Sequence, residues 1–178
     1  PQDQSTDYRR PNVANTISLF FHDMPNADYH ASPAISKSGL DKIARSPAHY
    51  QAAKSAPPES TDAMVFGSAF HDYILLPGVF QAAYTVLPDD FNGRTKDGKA
   101  LMAAIKESGQ TVLKPEWVEN IKGMAAAVAA HPKAAALLTG GHPEVSIFWQ
   151  DADTGIDCRC RPDYIHSTGI IVDLKSTP

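Results

Sequence analysis

The run Gly155-Ile-Asp-Cys-Arg-Cys-Arg-Pro-Asp-Tyr-Ile165, then His166-Ser-Thr168, then Gly169-Ile-Ile-Val-Asp-Leu-Lys175, carries the strongest architectural signal in this chain. Two apolar-rich segments of strand length flank a short polar turn, the pattern of an antiparallel hairpin. With Ser167, Thr168 and Gly169 as a three-residue loop and Gly169 in the left-handed position, His166 pairs with Ile170 and Asp163 falls opposite Asp173. Directly opposed residues hold their Cβ atoms ~4.5 to 5.5 Å apart, a separation at which two carboxylates can share one divalent cation. Two buried carboxylates this close repel unless a cation or a proton relieves them. Asp173 and Lys175 are two apart, so an acid and an ammonium share one strand face. Spacing alone also admits a solvated strand face, with Asp163 a turn residue after Pro162.

Upstream, Glu144-Val-Ser-Ile-Phe-Trp-Gln150 adds a third strand-like run, so the C-terminal part reads as an antiparallel meander. Before it the pattern is helical. Ile17 to Phe21 suggests one short strand, and Met24 to Asp28 reads as a turn. A serine N-cap within Ile35-Ser36-Lys37-Ser38 and the Ser46-Pro47 pair then open two helices. Asp62 is placed to cap a helix carrying Gly67 and His71. Residues 88 to 99 read as a polar loop before a helix from Lys99 to Ser108; Pro115 opens another to Ala130, and His131-Pro132 a short one to Leu138. Helices followed by a sheet indicate an α+β fold. Residues 1 to 15 lack apolar periodicity and read as a linker or tail, leaving 16 to 178 as the folded domain. The last strand would lack a covering element three residues beyond Lys175, which suggests a domain incomplete at its C-terminus.

At 178 residues, 43% apolar and 20% charged, the chain has the composition of one ordinary globular domain. No stretch approaches the ~20 apolar residues that span a bilayer, and Pro1 to Asp7 resembles no export signal, so a cytoplasmic location is expected. Cys158 and Cys160, two apart on a strand, are poorly placed for a relaxed disulfide. A net charge of −4 argues against coating nucleic acid by bulk attraction but admits a local basic groove beside an acidic metal site. Paired oxygen ligands holding Mg²⁺ suit phosphodiester hydrolysis, with Lys175 orienting or deprotonating water or neutralising charge.

Five stretches, in this order, resemble one known family: Asp28-Tyr-His-Ala-Ser-Pro-Ala-Ile-Ser-Lys-Ser-Gly-Leu-Asp41; Phe66-Gly-Ser-Ala-Phe-His71; Gly93-Arg-Thr95; Asp153-Thr-Gly-Ile-Asp-Cys-Arg-Cys-Arg-Pro-Asp163; and Asp173-Leu-Lys-Ser-Thr177. From about Leu19 to Pro178 the chain resembles the RecE family, the exodeoxyribonuclease VIII type of PD-(D/E)xK nuclease. The resemblance implies metal-binding Asp163 and Asp173, the Leu174 carbonyl as a further ligand, a catalytic Lys175, and His71 facing the metal. It implies a Mg²⁺-dependent exonuclease, with Mn²⁺ as substitute, degrading linear duplex DNA 5′ to 3′. The products would be 5′ mononucleotides and a 3′ single-stranded tail. A toroidal homotetramer and a single-strand annealing partner of the RecT type belong to the same implication. Beyond the Asp-x-Lys segment the family continues into a helix and further sheet that this sequence lacks.

Without the resemblance His71 reads as a core histidine beside Phe66 and Phe70. Glu144 reaches the Asp163 face only if the loop after Gln150 has even length. Arg159 and Arg161 could meet phosphate or serve as structural partners of acids. Arg94, Lys96 and Lys99 form a basic loop, and Lys37, Lys42 and Arg45 a basic helix edge; either could track a DNA backbone. Trp117 and Trp149 read as core. Two other readings are a structure-directed endonuclease on the same core, and a non-catalytic DNA-binding or partner-docking module.

Overall fold

A computed structural model describes residues 18–56 and 60–176; the predicted tail at 1 to 15 lies outside them. In chain order the elements are β1 (Leu19–Phe21), α1 (Asn26–Ala31), α2 (Lys37–Arg45), α3 (Pro47–Ser55), α4 (Asp62–Leu75), α5 (Pro77–Ala83), β2 (Tyr84–Val86) and α6 (Lys96–Ser108). There follow β3 (Thr111–Leu113), α7 (Pro115–Ala130), α8 (Pro132–Leu137), β4 (His142–Pro143), β5 (Ser146–Gln150), β6 (Asp157–Cys160), β7 (Tyr164–Ile165) and β8 (Ile171–Val172). The described residues form two compact units, one from residues 18–56 and 145–161, the other from 60–144 and 162–176.

In the first unit, β1, β5 and β6 make an antiparallel sheet in the order β1-β5-β6. Ile35 extends the β6 edge, donating its amide to Asp157 and accepting from the Arg159 amide. Tyr29, Ala34 and Phe148 form the core, with Leu19, Phe21 and Met24 packed around them. The Ser36 hydroxyl accepts from the Gly39 amide and Ser46 from the His49 amide, so both helices have a serine cap and the first is Ser36. Residues 26–31, expected partly as a turn, are helical; the extended Ser32 before Pro33 ends the helix.

The second unit centres on Ala69, Phe70, Leu113, Ile121 and Leu174, contributed by α4, β3, α7 and the segment after β8. Phe66 and Trp117 meet edge to face at 5.9 Å against this core, as the core reading of Trp117 expects. Thr61, not Asp62, caps α4 by accepting from the Met64 amide; Asp62 is instead the first helical residue and pairs with Lys114 at 2.7 Å. Helix α6 begins at Lys96, three residues before its predicted start. The Thr95 hydroxyl accepts the Gly98 amide, and Gly98 fits where a Cβ would lie 2.0 Å from the Asn92 carbonyl oxygen. Strands β2 and β3 pair in parallel, a contact invisible in two three-residue segments. The half-buried Tyr84 hydroxyl donates to Asp72 at 2.9 Å, tying β2 to α4, and burial raises the Asp72 carboxyl above its ordinary range.

The expected three-run meander is corrected in one respect. Residues 155 to 165 do not form one strand: β6 stops at Cys160, and β7 starts at Tyr164 in a separate sheet of order β4-β7-β8. Pro162 supplies no ladder donor, which is why the run divides there. Within β7–β8 the register is the one read from the loop: Tyr164 opposes Val172, Ile165 opposes Ile171, and the His166 amide donates to Ile170. Gly169 takes φ +85°, the left-handed conformation the three-residue loop requires.

Candidate metal centre

Helix α4 brings His71 to the site, the residue after β4 brings Glu144, and the residue before β7 brings Asp163. One ligand atom from each lies within 4.8 Å of the other two, and all three side chains are half-buried. His71 Nδ1 is 3.5 Å from Asp163 Oδ1, and the other oxygen, Oδ2, accepts the Leu174 amide at 2.6 Å. Leu174 itself is 8% exposed in the core, so its burial fixes the amide that holds Asp163. Burial is the main influence raising the Asp163 carboxyl above its ordinary value. The Leu174 amide and His71 act against it, and the charge of Asp173 reinforces it. A divalent cation among these groups would remove that penalty, so the donor set, one imidazole and two carboxylates, fits such an ion.

The question left open for Glu144 is answered by its own contacts. The Glu144 amide donates to the Asp163 carbonyl at 3.0 Å, and its carboxylate lies within 4.8 Å of the ligand atoms of Asp163 and His71.

Asp173 follows the last ladder pair, and its charge acts on Asp163. The ladder ends at Tyr164 and Val172, and Asp173 is not in the three-residue group among the described residues. Its Oδ1 instead accepts Lys175 Nζ at 2.7 Å, the side chains being 60% and 68% exposed. That hydrogen bond raises the Lys175 ammonium above its ordinary range. The ammonium therefore stays protonated at neutral pH, which favours charge neutralisation over deprotonation of water. The Leu174 amide is the group that donates to Asp163.

The other basic residues divide. Arg94, Lys96 and Lys99 are exposed at the start of α6, and no described hydrogen bond or ion pair uses their charged ends. Arg159 and Arg161 lie in the first unit. Both guanidinium groups are used inside the first unit, 4.7 and 4.2 Å from the centre of the Tyr29 ring. Arg159 donates to the Tyr29 carbonyl; Arg161 donates to Ser146 Oγ, Asn26 Oδ1 and the Met24 carbonyl. The partners described for this pair are carbonyl, amide, hydroxyl and aromatic groups. Tyr29, which had no assigned role in the sequence, is the platform they share.

A family model described as a PDDEXK-like domain of unknown function (DUF3799) matches residues 36–178. No curated protein matches the chain.

Proposed function

The chain belongs to this PDDEXK-like family, a nuclease-type domain, and from that premise we propose that it is a divalent-metal-dependent DNA exonuclease. The observation that carries the reading is the meeting of His71, Glu144 and Asp163 from three separate elements within 4.8 Å. His71, Glu144 and Asp163 would hold Mg²⁺ or Mn²⁺, and Asp173 would add its charge from the neighbouring strand end. The ion, when bound, supplies Lewis-acid polarisation of the scissile phosphate and a lowered pKa for its water. Lys175, held protonated by Asp173, would neutralise the charge that builds on the phosphate oxygens. Arg94, Lys96 and Lys99 would steer the duplex backbone, an interaction weakened by salt. The RecE resemblance adds the finer parts of the proposal: 5′ to 3′ polarity on linear duplex, a ring-shaped tetramer and a single-strand annealing partner.

The test is nucleotide release from 5′-labelled linear duplex with Mg²⁺ or Mn²⁺, beside a covalently closed circle. Release from the linear form alone, abolished by Asp163→Ala and by chelation, is the expected result. Lys175→Ala should keep Mn²⁺ binding by calorimetry while losing cleavage. Cutting of the closed circle would replace the exonuclease with an endonuclease. Absence of cleavage with intact metal binding would favour a non-catalytic DNA-binding module.

A further inference from the structure

Glu144 has φ +49° and is, among the described residues, the one non-glycine residue in the left-handed region. A residue with a Cβ occupies that region at an energetic cost, and it persists only where its surroundings impose it. Here they can be named. Residues 141–144 are laid along β7 by four successive restraints. His142 pairs with Ile165 and Pro143 with Tyr164, and the Glu144 amide donates to the Asp163 carbonyl. At the start of the segment the Gly141 amide donates to the Tyr164 hydroxyl at 2.7 Å. Gly141 also approaches so closely that a Cβ there would lie 2.2 Å from the Ile165 carbonyl oxygen and 2.7 Å from the Tyr164 ring. Tyr164 is 6% exposed, so its hydroxyl is a fixed point rather than a solvated group.

One side chain thus anchors the segment that ends in the strained glutamate, while the residue just before it, Asp163, is a member of the same donor group. We propose that Tyr164 is a positioning residue of the metal centre, its hydroxyl holding the 141–144 segment so that Glu144 presents its carboxylate beside His71 and Asp163. Tyr164 touches no reacting atom in this arrangement; it acts through Glu144. The proposal rests on the metal-centre reading above and extends it to a residue outside the donor set.

The experiment is Mn²⁺ binding by calorimetry on the full chain, comparing the parent with Tyr164→Phe, Glu144→Gln and the double variant, each first shown to unfold cooperatively by circular dichroism. Removing a partner that orients a ligand typically costs 10- to 100-fold in metal affinity, so Tyr164→Phe should weaken Mn²⁺ binding about tenfold or more. Because Tyr164 works through Glu144, adding Tyr164→Phe to Glu144→Gln should weaken binding no further. Parent-like affinity in Tyr164→Phe, or two effects that simply multiply, would overturn the positioning role. A Tyr164→Phe chain that no longer folds would make the tyrosine a determinant of the fold and would equally overturn it. Absence of Mn²⁺ binding by the parent would instead refute the metal centre itself, and the parent's own titration separates that failure from the others.

Discussion

Substitution of Leu174 by alanine separates the core from the site at one point of the chain. Leu174 is 8% exposed and packs with Ala69, Phe70, Leu113 and Ile121, whereas the Asp173 and Lys175 side chains on either side are 60% and 68% exposed. Removing a leucine side chain from such a site costs about 2 to 5 kcal/mol, the lost transfer energy plus the cavity left behind. In a domain of this size each kcal/mol moves the melting midpoint by about 2 to 4 °C, so Leu174→Ala should melt roughly 4 to 20 °C below the parent. Lys175→Ala breaks only an exposed ion pair, worth about 0.2 to 1 kcal/mol, and should stay within ~4 °C. Thermal unfolding followed by circular dichroism, without metal and at neutral pH, measures both. A Leu174→Ala midpoint within ~2 °C of the parent would refute the assignment of this side chain to the core. So would a Lys175→Ala midpoint that falls as far as that of Leu174→Ala.

Because burial raises the Asp163 carboxyl above its unfolded value of 3.8, the folded metal-free chain holds this proton more tightly than the unfolded one. Its contribution to stability is complete below that value and is lost as pH rises through the raised folded value. Asp163→Asn should therefore melt higher than the parent at pH 7 without metal, the gap closing on acidification below about 3.8; saturating Mn²⁺ should stabilise the parent and not the variant. A lower midpoint for metal-free Asp163→Asn at pH 7 would contradict the burial argument. Alanine usually improves a helix over glycine by ~1 kcal/mol, yet Gly98→Ala should destabilise, since its Cβ would meet the Asn92 carbonyl at 2.0 Å. Gly123→Ala in α7, where nothing lies within 4 Å, should do the reverse, and denaturant unfolding of the two variants reads both signs.

Local signals in the chain were sufficient wherever one or two neighbours set the geometry. Ser36 and Ser46 cap their helices because a hydroxyl reaches an amide three residues on, and Pro115 opens α7 because its fixed φ suits a first turn. The His166–Gly169 loop fixes the β7–β8 register through one left-handed glycine. For the acids at 163 and 173 and the lysine at 175 spacing also admits a solvated strand face, and the family resemblance is what singles them out. Long-range pairing was not legible. A hydrogen bond to Asp163 sets where Glu144 lies, a single proline divides the meander, and Arg159 and Arg161 meet the ring of Tyr29 from 130 and 132 residues along the chain. The meeting of His71 and Glu144 with Asp163 is of the same long-range kind. A helix, a strand end and a left-handed glutamate meet there because a buried leucine and a buried tyrosine hold their backbones, contacts that no periodicity along the chain encodes.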